Sequence, residues 1–268
     1  MKKQFGLLVL LLVALLPVAS TAQVQVVVTH AVLGEIAQII GGDSIEVITI
    51  IPSGFCPAHY DLAPSDYVAL INADIVLYSG FEPWVENLVG STNEGALVQF
   101  PGPWNTPPAA VEKTMAVAAA LTQRIPEGAA TFAANRDAYV AQLEALGEEL
   151  LAKAASHTVS EIPVVCMEWQ TSFVSWLGFD IPVTYGMPEG LSLKDLIQLA
   201  DAGTAAGAQV VIDNLQSGIE FGAKLAREIG AVHVVLSNFP GAMPKTSTLM
   251  DLLRRNAGAM FSAIEPVQ

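Results

Sequence analysis

Residues 23–51, QVQVVVTHAVLGEIAQIIGGDSIEVITII, decide the fold. Gln23–Thr29 is dense in valine, and β-branched residues favour a strand entering a core. Leu33, Ile36, Ala37 and Ile40 then recur at helical spacing, and Gly41-Gly42 supplies residues able to end a helix in the left-handed conformation. Glu46–Ile51 returns to a strand pattern. Repeated strand, helix, strand units imply a parallel sheet covered on both faces.

The same alternation continues along the chain. Ala63-Pro64-Ser65-Asp66 announces a short helix: Ser65 or Asp66 can cap the free amides, with Tyr67, Leu70 and Ile71 expected to turn inward. Ile75–Tyr78 reads as a third strand, and the four prolines of Phe100–Pro108 make that stretch a loop before a helix over Ala109–Leu121. A longer helix is expected from Ala129 to Ser156, where Tyr139, Leu143, Leu146 and Leu150 form one stripe. At about 1.5 Å per residue it would reach about 40 Å, enough to cross one half and enter another. Strands at Pro163–Met167, Gln209–Asp213 and Val232–Leu236 then alternate with helices at Thr171–Leu177, Leu193–Ala206, Ile219–Ile229 and Ser247–Ala259. The expectation is two α/β halves joined by one long helix: an N-terminal lobe over 23–126, the connecting helix over 127–158 and a C-terminal lobe over 159–268.

Residues 1–22 stand apart from this pattern. Lys2 and Lys3 precede the apolar run Phe5–Leu16, and Ser20-Thr21-Ala22 offers small residues for cleavage. The run is too short to span a bilayer core, so an export signal is expected, with an uncleaved anchor as the alternative. The remainder should be soluble in the periplasm or outside the cell. With 12 Lys plus Arg against 26 Asp plus Glu, the formal net charge of −14 argues against a nucleic-acid binder and suits a cationic ligand better.

In open parallel sheets ligands bind beyond the carboxyl ends of the strands. Cys56 and His59 follow the second strand, and Cys166, Met167 and Glu168 stand at the end of the strand over 163–167. Asp213 and Asn214, Ser237 and Asn238, and His30 close other strands. In an exported protein the two cysteines admit a disulfide, a shared metal site, or two unpaired small apolar side chains. Asp213 could orient an imidazole or cap a helix, His157 suits a helix C-terminal cap, and His233 a structural place within a strand. Trp104 and Trp169 are candidates to wall the cleft. A Cys166 nucleophile with His59 as base would make an enzyme, but no Cys-x-x-Cys, Gly-x-Ser-x-Gly or Gly-x-Gly-x-x-Gly motif is present. No enzymatic activity is expected.

Several short motifs carry a resemblance. They are Ile51-Pro52-Ser53-Gly54, His59-Tyr60-Asp61, Ala63-Pro64-Ser65-Asp66, Gly80-Phe81-Glu82-Pro83-Trp84, Pro188-Glu189-Gly190-Leu191-Ser192 and Leu252 to Asn256. In this order and spacing the chain resembles the solute-binding proteins of zinc and manganese ABC transporters, over nearly all its length beyond residue 22. The resemblance implies an α/β fold of two Rossmann-like lobes with parallel sheets joined by one long backbone helix. It also implies a metal ion captured in the cleft and delivered to a membrane permease, by a protein expected to act as a monomer. Yet Ala58 stands where the family's first ligand histidine would be. The second position falls at Trp104 or Asn105, the third at Met167 or Glu168, and the fourth near Ser237 or Asn238.

A substituted ligand set is expected. Cys56 and His59 from one lobe with Cys166 and Glu168 from the other would supply four donors to a divalent transition metal, zinc first. Sulfur donors would also suit copper(I), and manganese becomes less favoured. The alternative is a binding protein of the same fold that has lost metal affinity and takes another small ligand or a protein partner.

Overall fold

The valine-rich opening run forms β1 (Val24–Val28), α1 (Ala31–Gly41) follows, and β2 (Ile45–Thr49) pairs parallel to β1, as the alternation implies. The helix ends at Gly42, whose φ of +52° and ψ of −133° lie outside the expected left-handed helical well, in a region that glycine adopts readily. The structure, a computed structural model, describes residues 23–265, so the expected export signal lies outside the described residues. Among them no helix is long and apolar enough to cross a membrane.

The first sheet is completed by β3 (Ile75–Tyr78) and β4 (Leu97–Gln99), in the order β2-β1-β3-β4 with every pairing parallel. Between these strands run α2 (Pro64–Asn72) and α3 (Val85–Asn93). In α2 only Leu70 is buried, whereas Tyr67 and Ile71 remain exposed. Their inward turn is therefore corrected: the helix covers the sheet with one narrow face. After α4 (Pro107–Arg124) and the 28-residue α5 (Ala129–Ser156), the second lobe repeats the first. Its strands β5 (Pro163–Met167), β6 (Asp180–Tyr185), β7 (Val210–Asn214) and β8 (Val232–Leu236) are parallel in the order β6-β5-β7-β8. They are covered by α6 (Thr171–Trp176), α7 (Leu193–Ala205), α8 (Glu220–Ile229) and α9 (Leu249–Ile264). The strand β6 escapes the sequence pattern because it is an edge strand that carries Pro182 and is only partly buried along most of its length.

One continuous core joins the lobes. Tyr139, Leu143, Leu146 and Leu150 of α5 are all buried and pack with Val26 and Val28 of β1 as well as Val164 and Cys166 of β5. The opposite faces have their own cores, with Val27 and Val76 in one lobe and Val165 and Met167 in the other. Cys166 thus follows the period of two in β5, sharing the inner face with Val164 while Val165 and Met167 take the outer one. Burial, with Asp213 as the second cause, pushes its thiol well above the ordinary range. A further tie crosses the lobes, because the Glu35 carboxylate of α1 accepts the Tyr139 hydroxyl at 3.0 Å and the Leu249 backbone N–H at 2.7 Å.

Three outcomes follow from this packing. Glu35→Ala leaves the Leu249 N–H and Tyr139 hydroxyl without their acceptor and should lower the unfolding free energy by about 1–3 kcal/mol in urea. Glu35→Gln keeps an acceptor and removes the charge. Burial raises the Glu35 pKa above its ordinary 4.5, so wild-type stability should fall relative to this variant as pH rises through and above that value. A stability difference that is flat with pH would contradict the assignment. For the thiols, native protein should react with an aromatic disulfide reagent at Cys56 alone, and Cys166 should react only after denaturation. Rapid native modification of both would place Cys166 wrongly.

Candidate functional site

Strand order reverses between β1 and β3 in one sheet and between β5 and β7 in the other, and loops diverge at such points to leave a crevice. The loop after β2 contains a short turn, Pro57–His59, which carries Cys56 and His59 to the crevice. Its far end is fixed by Asp66, which accepts the Ala63 N–H at 2.8 Å and the Tyr60 hydroxyl at 3.0 Å. The expected capping carboxylate at the start of α2 is therefore Asp66. After β3, the buried Glu82 carboxylate accepts the Thr29 hydroxyl at 2.6 Å, the Ser79 hydroxyl at 2.8 Å and the Gly80 N–H at 2.9 Å. Gly80, at φ +95°, makes the reversal that presents Phe81.

Trp104 arrives on the proline-rich loop after β4. The buried Lys113 ammonium of α4 donates to the carbonyls of Phe100, Pro101 and Gly102 at 2.8, 2.6 and 3.2 Å, which pins that loop. Burial lowers the Lys113 pKa. From the second lobe, the turn Glu168–Gln170 presents Trp169, whose indole N–H points at the Met187 sulfur 3.0 Å away. Gln216 and Asn238 follow β7 and β8, and the Gln216 amide donates to the Ser53 carbonyl of the first lobe at 2.8 Å.

Together these loops enclose a cavity of about 200 Å³ whose walls include Phe81, Trp104, Trp169 and Phe239. Phe81 meets Trp104 and Trp169 edge-on, with ring centroids 6.1 and 5.4 Å apart. Behind Trp104 lies His30, fully buried, its ring 4.6 Å from the indole and 5.1 Å from Phe239. Neither His30 nitrogen has a hydrogen-bond partner, and burial, aided by the Lys113 charge, lowers its pKa to about 3. It is a neutral ring in the floor of the cleft.

The structure brings only part of the expected donor set together. Cys56 and His59 line the cavity, and His59 Nε2 lies 3.4 Å from Glu189 Oε1 of the opposite lobe. Met187 lines it too. Glu168 faces an adjoining cavity of about 310 Å³ that shares Phe81, Trp104, Trp169 and Asn238 with the first. Cys166 faces the core instead. Among the described residues no three His, Cys, Asp or Glu side chains stand close enough to share an ion, so the quartet Cys56, His59, Cys166 and Glu168 is not assembled. The physical reason is that Cys166 lies within a paired strand whose faces are both covered. Both cysteines are free, which removes the disulfide alternative, and Cys166 with His59 forms no nucleophile and base pair.

Two of the positions where the resemblance implied ligands now touch one another. The Trp104 indole N–H donates to the Asn238 carbonyl at 2.9 Å. Asp213 takes the first of its two expected roles, orienting an imidazole rather than capping a helix: buried in β7, it accepts the Tyr185 hydroxyl at 2.5 Å and pairs with His233 Nε2 at 2.7 Å. His157 caps α5, with Nδ1 2.8 Å from the Lys153 carbonyl, and also stacks on Phe261. Met187, Glu189 and Phe239 had no place among the sequence candidates. The post-strand rule finds Met187 and Glu189 once β6 is recognised.

The comparisons with known proteins agree with this architecture. The family model described as "ZnuA: Zinc-uptake complex component A periplasmic" matches residues 26–263. The chain is 27% identical to the manganese-binding lipoprotein MntA of Halalkalibacterium halodurans, over 46% of this chain and 47% of that protein. It is 26% identical to the iron ABC transporter substrate-binding lipoprotein MtsA of Streptococcus pyogenes serotype M1, over 50% and 53%. With the metal ABC transporter substrate-binding lipoprotein SsaB of Streptococcus sanguinis the identity is 24%, over 68% and 71%. The chain therefore spans about half the length of MntA and MtsA. A crystal structure of ZnuA superposes with a TM-score of 0.75 at 20% identity, covering 91% of this chain and 100% of that one. The Mn-bound periplasmic metal binding protein from Candidatus Liberibacter asiaticus gives 0.77 at 17%, covering 90% and 99%. The structural likenesses show the fold; MtsA and SsaB are named as substrate-binding lipoproteins of ABC transporters and MntA as a metal-binding lipoprotein, none as an enzyme. With a family match running from β1 into the last turns of α9, the chain belongs to the family of periplasmic zinc-uptake component A proteins.

Proposed function

We propose that this chain is the extracytoplasmic solute-binding protein of a metal ABC transporter, exported through residues 1–22 and acting as a monomer. It captures a transition-metal ion, zinc in first place, between the lobes 23–126 and 159–268 and passes it to a membrane permease. The observation that supports this most is the His59–Glu189 pair, an imidazole and a carboxylate from opposite lobes 3.4 Å apart in one cavity. Cys56 and Met187 line the same cavity, so sulfur stands near this nitrogen and oxygen pair without converging with it on one point. Such a mixed set suits zinc or copper(I) better than manganese, which prefers oxygen. In this reading Glu189 takes the place expected of Cys166, and Glu168 stands by in the adjoining cavity. Donors divided between two lobes couple capture to a hinge motion that a permease can recognise.

Anaerobically prepared full-length protein should take up about one equivalent of zinc or copper(I) with higher affinity than manganese(II), measured by competition with a chromogenic chelator. His59→Ala and Glu189→Ala should each weaken uptake at least about tenfold, as loss of metal-site groups generally does. Cys166→Ala should leave it unchanged. Absence of stoichiometric uptake of any of the three ions would overturn the proposal.

A further inference from the structure

The deep end of the cleft is closed to a bare ion. Trp104 fills it, sealed to the Asn238 carbonyl and packed against His30 and Phe239. The open volume lies outward of that ring, in the two adjoining cavities of about 200 and 310 Å³ that share the faces of Phe81, Trp104 and Trp169. An ion with metal–ligand bonds of about 2.0–2.3 Å needs donors that converge on a point, whereas the larger of these cavities reaches the lower end of the about 300–1,000 Å³ usual for small organic ligands, which sets a small size for any organic body. Nor do enough protein donors converge: beyond the His59–Glu189 pair, the described residues hold no cluster of three His, Cys, Asp or Glu. What the cleft does offer is aromatic surface, with rings 5.4 and 6.1 Å apart meeting at the exposed Phe81.

We infer that the cargo of this cleft has an organic body: a divalent metal ion already held by a small, flat, partly aromatic chelator. Its rings lie against Phe81, Trp104 and Trp169, while His59 and Glu189 complete the coordination that the chelator leaves open. This rests on the metal-capture reading above and names its cargo class. The donor count closes, since two chelator atoms, one imidazole nitrogen and one carboxylate oxygen make the four ligands zinc usually takes. The aromatic walls supply the stacking surface that a flat ligand needs. The formal charge of −14 favours a complex that retains positive charge over a free anionic chelator.

The test is isothermal titration of the full-length protein with zinc chloride, with the 1:1 zinc complexes of 1,10-phenanthroline, picolinate and histidine, and with the same chelators in metal-free buffer. At least one complex should bind about tenfold or more tightly than both zinc chloride and its own free chelator, a margin that aromatic contacts of this kind supply. Phe81→Ala and Trp169→Ala should each remove about tenfold of that affinity and so narrow the complex's margin over zinc chloride measured on the same variant. Both side chains are partly exposed, and Trp169 alone carries the test if Phe81→Ala fails to fold. If zinc chloride binds as tightly as every complex, the organic body is refuted and ion capture stands. If a metal-free chelator binds as tightly as its complex, the inference and the metal-capture reading both fall. Binding of zinc chloride alone, or of nothing offered, also overturns the inference.

Discussion

In a parallel sheet each inner strand has both backbone edges paired and both faces covered, so a side chain within it is committed to one core or the other. Only residues beyond the last pairing can enter the space between the lobes. In β5 that boundary falls between Met167 and Glu168. Cys166 and Met167 consequently pack on opposite faces, and Glu168 and Trp169 reach the crevice. The same rule sends Val28 inward and gives Phe81, Gln216 and Asn238 to the cleft. A donor set in this fold is thus drawn from loops, and its composition follows from where each strand stops.

The floor of the crevice is built from neutral, stacked rings. His30 is neutral near pH 7, because burial opposes its protonation down to about pH 3. Its two unpartnered nitrogens cost about 1–3 kcal/mol each, and stacking on Trp104 and Phe239 returns about 0.5–1.5 kcal/mol per pair. The folded-state pKa is depressed, so this group contributes stability above its ordinary 6.5, lost as pH falls from there toward about 3. Lys113 sits nearby, its charge satisfied by three carbonyls of the loop that carries Trp104. The indole is therefore held from its loop, from its faces and through its N–H, and it occupies space that an ion and its ligands would otherwise need.

Much of this was legible before any coordinates. The β1-α1-β2 unit announced itself through valine density, helical spacing and a double glycine, and the α5 stripe placed four residues in the core. Cys56, His59 and Trp169 were legible because they follow strands the sequence reveals. Glu189 was not, since its strand β6 is a short edge strand interrupted by Pro182, and a loop cannot be assigned to a strand that has not been seen. The strand over 163–167 was bounded correctly, yet Cys166 was misplaced because side-chain direction reverses with every residue and the residue next to the strand end turns into the core. Tyr67 and Ile71 followed helical spacing correctly, yet how much of a helix is covered depends on neighbours distant in sequence.

Closure of the cleft depends on modest forces. The lobes meet through Gln216 to Ser53 at 2.8 Å, Trp104 to Asn238 at 2.9 Å, Asn105 to Trp169 at 3.2 Å and Ser172 to Asn105 at 2.7 Å. Neutral bonds of this kind contribute about 0.5–1.5 kcal/mol each, and water replaces much of that on opening. On the other side, the α5 core and the Glu35 tie to Leu249 give the lobes a shared support. A swing from mostly open to mostly closed requires about 5.5 kcal/mol of differential affinity. Two partly exposed donors would have to supply all of it for a bare ion. A cargo that also presses rings against Phe81 and Trp104 of one lobe and Trp169 of the other makes contacts that exist only in the closed form, and it thereby ties its own size to the state a permease recognises.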